Sequence, residues 1–220
     1  MTTQKENNPE NVLIFCAHSD DQVFGLGGTI SKYAQEGKNL YTYIFSYGEK
    51  SSPWIKEKAM IETRVNEAKK ADKILGGSGV TFFGLREGDF FKDYIDKKLN
   101  ERIKDILLKT QPEKIFIHSL NDPHPDHRAV YTIITSLVEN IGLQTHIYAY
   151  DVWTPFHIRK RSEPRMYVNI SKTFKTKIKA LECFKSQKIA LITQILSVYI
   201  RGFLNGLKSR CLVAEKFLKV

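Results

Sequence analysis

The chain has 220 residues, 42% hydrophobic and 26% charged, with a formal net charge of +10. Length favours one domain over two, and a chain of this size buries enough surface to fold without disulfides or a structural metal. The composition excludes bulk disorder, a collagen-like fibre and a polytopic membrane protein.

Asn11 to Ala17 is a continuous apolar run, as in a strand buried on both faces. Val23, Leu26, Ile30 and Tyr33 then recur at helical spacing. Leu40 to Phe45 reads as a second strand. Glu57 to Leu75 reads as a charged helix stopped by Gly76 and Gly77. Val80 to Phe83 is a third strand. Tyr94 to Lys109 is a helix with Ile95, Leu99, Ile103, Ile106 and Leu107 on one side, ending before Pro112. Lys114 to His118 is a fourth strand, Asp126 to Asn140 a helix and Thr145 to Tyr150 a fifth strand. Five alternations at βαβ spacing predict an α/β fold: a Rossmann-like three-layer α/β/α arrangement with a mostly parallel sheet. Beyond Asp151 a Pro-containing loop leads to one or two helices from Lys172 onward. The expected organisation is a single domain, an α/β core over 1–151 and a basic, partly helical C-terminal extension over 152–220.

The charge is concentrated in that extension. Phe156 to Val220 holds fifteen Lys and Arg against three Asp and Glu, or +12, which leaves −2 for the rest. The plain reading is a solvated basic face. The sharper one is an anionic partner. Ile189 to Val213 carries Ile189, Ile192, Ile195, Leu196, Tyr199, Phe203 and Leu207 at helical spacing, and core packing or a subunit contact is the default expectation. With Arg201, Lys208 and Arg210 nearby, a helix lying on a membrane surface is the sharper alternative. The longest uncharged apolar stretch is Ile189 to Ile200. Twelve residues are too few to span a bilayer, which takes about 20. No RNA-binding signature is present, so nucleic acid is not an expected partner. The polar first ten residues lack the apolar core of a signal peptide, and Cys16, Cys183 and Cys211 form no CxxC pair. A cytoplasmic protein is expected.

Ligands of open α/β sheets sit beyond the carboxyl ends of the strands. Two polar clusters fall there: His18-Ser19-Asp20-Asp21 after the first strand, and Asn121-Asp122-Pro123-His124-Pro125-Asp126-His127 after the fourth. Gathering imidazoles and carboxylates is costly unless a cation holds them, and zinc with three N/O ligands and one open position is the natural candidate. The bland alternatives are a metal-free His18–Asp21 pair, and helix capping by Asp20, Asp122 or Asp126. Gly25, Gly27 and Gly28 lie too far from the strand end for a dinucleotide fingerprint, and close packing is their expected use. His118 reads as a core histidine or as one that supports the site from behind. His146 and His157 stand alone.

The segments AHSDDQVFGLGGT (Ala17 to Thr29) and NDPHPDHRA (Asn121 to Ala129) resemble the LmbE/PIG-L family of zinc-dependent de-N-acetylases, whose patterns are AHPDDE and HPDH. Tyr47-Gly48-Glu49, Arg64-x-x-Glu67-Ala68, Ser186-Gln187 and Ala214-Glu215 extend the similarity over nearly the whole chain. The resemblance implies His18, Asp21 and His127 as zinc ligands and Asp20 as the general base for the zinc-bound water. It also implies His124 as oxyanion stabiliser or acid, oriented by Asp126, with Arg64 and Asp89 contacting substrate. Removal of acetyl from an N-acetylglucosamine-type sugar or glycoconjugate is the implied activity, and homo-oligomers are common among relatives. Ser19 and Gln22 replace the family Pro and Glu, and Asp122 stands where some relatives carry a Tyr. The competing expectations are a non-catalytic glycan or nucleotide-sugar binder and an anionic-surface binder acting through the tail.

Overall fold

A computed structural model describes residues 9–49, 56–152 and 164–220. The elements, in chain order, are β1 (Asn11–Cys16), α1 (Asp21–Gln35), β2 (Asn39–Ser46), α2 (Glu57–Leu75), β3 (Gly79–Leu85), α3 (Phe90–Asp96), α4 (Leu99–Thr110), β4 (Lys114–His118) and α5 (Pro125–Ile141). They continue with β5 (His146–Tyr150), β6 (Arg165–Asn169), α6 (Phe174–Leu181), α7 (Lys188–Lys208) and β7 (Ala214–Lys219). One sheet runs β3-β2-β1-β4-β5-β7-β6. The first five strands are parallel, and β7 is antiparallel to both its neighbours.

Alternation along the central strands splits the core in two. Val12, Ile14 and Cys16 of β1 face α1, α6 and α7, whereas Leu13, Phe15 and the following Ala17 face α4 and α5. A strand buried on both faces has no polar side, which is why NVLIFC is apolar throughout. Glycines of α1 let β5 and the tail approach closely. A Cβ on Gly25 would lie 2.3 Å from the Tyr150 ring, and one on Gly28 would lie 2.5 Å from Ile170. Packing is therefore their use, as expected from their distance to the strand end.

Two expectations need correction. The helix expected over Tyr94–Lys109 is two helices, broken at Lys98, whose φ of +49° is left-handed. Asp93 binds Arg86 and Lys97 and so ties α3 back to the end of β3. After the break Leu99, Ile103 and Leu107 turn inward, while Ile95 stays 72% exposed. The extension beyond Asp151 is also more than helices. It supplies β6 and β7, so residues of the tail complete the sheet of the core. The β7 pattern is obscured by Glu215, a charged residue that is buried because α1 satisfies it. Its carboxylate accepts from Gly28 N, Thr29 N and Thr29 Oγ1, and pairs with Lys177 Nζ at 2.6 Å. Lys177 also donates to the Phe24 carbonyl. Residues 153–163, which include His157, lie outside the described residues.

Candidate metal centre

The sheet order places β1 beside β4, with β2 and β3 on one side and β5 on the other. Chain direction from strand to strand reverses at this point, leaving a crevice beyond the carboxyl ends. Both polar clusters open into it. The turn after β1 is pinned by two hydrogen bonds: Ala17 N donates to His118 Nε2 at 2.9 Å, and His18 N donates to Asp21 Oδ2 at 2.7 Å. Asp20 occupies the N-cap position of α1 but makes no side-chain capping bond. Its carboxylate instead lies 3.7 Å from Arg64 Nη2. On the other strand end His124, not Asp122 or Asp126, caps α5, with Pro125 at the first helical position.

Three side chains converge. Ligand atoms of His18, Asp21 and His127 all lie within 4.8 Å of one another, and a second group, His18, His124 and Asp126, meets the same limit. Asp21 Oδ2 is the hub: 3.4 Å from His18 Nδ1, 3.4 Å from His127 Nε2 and 3.2 Å from His118 Nε2. His127 Nε2 is buried, and its contact with Asp21 Oδ2 at 3.4 Å is too loose to satisfy it as a hydrogen bond. A buried ring nitrogen left unsatisfied is costly, and the vacancy in its bonding fits a metal ligand. Two imidazoles and one carboxylate are also the donor types of an open catalytic zinc site.

Supporting groups hold these side chains. Asp122 Oδ1 sits 3.0 Å from His127 Nδ1 and accepts from His124 N at 3.0 Å, while its Oδ2 accepts from Val152 N at 3.4 Å. A carboxylate behind a ligating histidine fixes the tautomer and leaves Nε2 for the metal. His124 Nδ1 accepts from Asp126 N at 3.2 Å, so the neutral ring carries its proton on Nε2. Asp126 thus orients His124 through its main chain. Its carboxylate accepts from Gly88 N and lies 3.5 Å from His18 Nε2. Arg64, 3% exposed, donates from Nε to Ser19 Oγ at 3.0 Å. Ser19, where the family pattern has Pro, therefore anchors this guanidinium. Gly48, at a φ of +71°, makes room for it, since a Cβ there would be 2.5 Å from the guanidinium carbon. Gln22 Nε2 donates to the Ser19 carbonyl and thereby stiffens the same turn.

The cluster is electrostatically overloaded with carboxylates. Burial opposes protonation of His18, yet Asp126, Asp21 and Glu87 outweigh it and push its pKa up to about 10. Burial likewise opposes protonation of His127, and Asp21 with Asp122 raises it to about 9. Burial and the neighbouring His127 hold His118 down to about 4. Burial raises Asp20 against the pull of Arg64, whereas His127 and His118 overcome burial at Asp21 and hold it well below the carboxylate range. The negative charge that would protonate these imidazoles is the charge a divalent cation would neutralise.

Asp89 does not join the cluster. It is exposed, next to α3, and its carbonyl accepts from Asp93 N. Its neighbour Glu87 does reach the site, 3.7 Å from His18 Nε2. Glu87 follows β3, whose carboxyl end opens on the same crevice, so the strand-end rule that selected the other residues also covers it.

A family model described as PIG-L: GlcNAc-PI de-N-acetylase matches residues 13–138. A 4-oxalmesaconate hydratase from Pseudomonas putida is 30% identical over 203 residues, covering 83% of this chain and 76% of the relative. A probable N-acetyl-α-D-glucosaminyl L-malate deacetylase from Bacillus anthracis is 23% identical over 208 residues, 89% of each chain. The solved structure of the N,N'-diacetylchitobiose deacetylase of Pyrococcus horikoshii superposes with a TM-score of 0.80 at 21% identity. It covers 99% of this chain and 87% of that one, and so has the same fold. The matched segment contains both strand-end clusters and the helix that carries Arg64, and with more than half of its length matched the chain belongs to the PIG-L family.

Proposed function

We propose that the chain is a metal-dependent amide hydrolase that removes the acetyl group from an N-acetylglucosamine-type sugar or glycoconjugate. The convergence of His18, Asp21 and His127, with Asp20 and His124 beside them, carries this reading. Bound to those three residues, a divalent cation, zinc above all, supplies Lewis acidity and a more acidic water at neutral pH. Asp20 is not engaged in capping its helix and takes the proton of the attacking water as general base. Arg64 touches Asp20, and we assign it the part of keeping that carboxylate ionised in a buried setting. His124 presents Nε2–H to the oxyanion that develops as water adds to the carbonyl carbon. The carbon–nitrogen bond then breaks as the departing nitrogen takes the proton that Asp20 had accepted, giving acetate and a free amino sugar.

The hydratase relative supports a second reading, addition of water across a carbon–carbon double bond of an unsaturated oxo-acid. Among the described residues, however, the site is lined by Asp20, Asp21, Glu87 and Asp126, with Asp122 behind His127, against the one guanidinium of Arg64. That balance suits a neutral amide better than a polycarboxylate. Three free cysteines support a reducing compartment, and we place the protein in the cytoplasm. None of the described helices is long and apolar enough to cross a membrane.

The test is an acetate-release screen over soluble and lipid-linked N-acetylglucosaminides, with zinc and with chelator. In parallel, the absorbance loss of an unsaturated oxo-acid is followed. Chelator-sensitive acetate release that falls about 100-fold or more in Asp20→Ala is expected. Hydration without acetate release would transfer the assignment to the second reading. Metal retention with neither activity would leave a glycan-binding protein.

A further inference from the structure

Helix α7, the longest described, presents an apolar stripe that none of the described residues covers. Ile189, Ile192, Leu196 and Leu207 are 82%, 72%, 66% and 76% exposed, and Phe203 is 42% exposed between them. Their spacings of three, four, seven and four keep them on one side along nearly all 21 residues, or about 30 Å. Scattered exposed apolar residues need no explanation, but a continuous stripe of this length does. The opposite side is committed inward: Val198 and Gln194 are buried, and Arg201 Nη1 donates to the Asp151 carbonyl.

Charge decides what covers the stripe. Helix α7 contains no Asp or Glu, and exposed Lys188 and Lys208 lie on either side of the stripe, with Lys185 and Arg210 just beyond the helix ends. In a two-fold pairing of copies through this face, cations would meet cations, with no carboxylate on the helix to offset them. An anionic bilayer surface accepts both features, since acyl chains take the apolar stripe and headgroups take the lysines. The same helix turn borders the site. Asp151 follows β5, and the next residue, Val152, donates to Asp122 behind His127.

We infer that α7 docks this protein onto anionic lipid surfaces, lying in the interface with its Ile189–Leu207 stripe inserted and its lysines among the headgroups. The metal centre is thereby held near the membrane, where a membrane-borne glycoconjugate would be presented. Docking of this face does not depend on which reaction the site performs.

The full-length protein is floated with vesicles of phosphatidylcholine alone and with vesicles containing phosphatidylglycerol, at low and raised salt. Anionic vesicles are expected to bind it about tenfold or more better than neutral ones, with the difference reduced by salt. Ile192→Glu/Leu196→Glu should abolish flotation, and Lys188→Glu/Lys208→Glu should weaken it about tenfold or more, with unfolding temperatures unchanged. Absence of flotation with either vesicle overturns the inference. So does a stable oligomer in light scattering that Ile192→Glu/Leu196→Glu converts to monomer, since a second copy then covers the stripe.

Discussion

Asp122 tests the proposed metal centre from behind. It is buried, and among the described residues His127 Nδ1 at 3.0 Å and His124 N at 3.0 Å face its Oδ1, and Val152 N at 3.4 Å faces its Oδ2. Asp122→Asn keeps the shape but leaves one acceptor oxygen. If that oxygen stays towards the histidines, the new NH2 opposes Val152 N–H, the longest of the three contacts. The flipped amide would oppose two donors and is disfavoured. In the retained orientation the fold survives, at a cost of about 1–3 kcal/mol for the unsatisfied Val152 N–H. His127 loses the negative charge that makes its Nε2 a strong donor to metal. Loss of such a supporting carboxylate weakens metal binding about 10–100-fold, or ~1.4–2.7 kcal/mol. The assay is titration of metal-free protein with Zn²⁺ against a chromophoric chelator at fixed pH, with thermal unfolding as the check on folding. His127→Gln should weaken binding further. Wild-type affinity in folded Asp122→Asn would refute the assignment of Asp122 as the partner that sets His127.

Three further expectations concern stability. Glu215→Ala strands Lys177 as a buried cation, and urea unfolding should show a loss of about 3–5 kcal/mol. Gly25→Ala gains helix propensity but drives a methyl against the Tyr150 ring, which is held by its hydrogen bond to the Phe15 carbonyl. A net loss of about 1–3 kcal/mol is expected, and an increase in stability would contradict the close packing. Asp72 is buried, and burial raises its pKa to about 6 from the ordinary aspartate value of 3.8. A carboxyl that is harder to ionise in the folded state than in the unfolded state costs stability once it is ionised. Its penalty is absent below pH 4, grows as pH rises between about 4 and 6, and is complete above that range. Asp72→Asn should therefore be more stable than wild type at pH 7, by up to about 3 kcal/mol, with the gain vanishing towards pH 4. A gain independent of pH would sink this account.

Much of the fold was legible in the sequence, because burial leaves a local mark. Strands covered on both faces are apolar throughout, as in NVLIFC and KIFIH, and the intervening helices repeat at their own period. That was enough to order strands and helices as far as Tyr150 and to locate two polar clusters at strand ends. The reading failed where a long-range contact overrode the local pattern. Asp93, held by Arg86 and Lys97, helps to end one helix before the break at Lys98. Glu215, satisfied by α1 nearly two hundred residues away in sequence, disguises a core strand as a charged segment.

For the site, the sequence by itself determined which residue types were available and on which strand ends they fall. Only the tertiary structure decided how they are paired. The adjacency of β1 and β4 brings His18 and Asp21 to His127, and a position on a strand end carries no information about which strand lies alongside. The parts of Asp122, Ser19 and Glu87 are of the same kind. Ser19 and Glu87 are defined by partners distant in sequence, and Asp122 by the turn that folds its carboxylate back onto His127, and direction and distance between side chains exist only once the chain has folded.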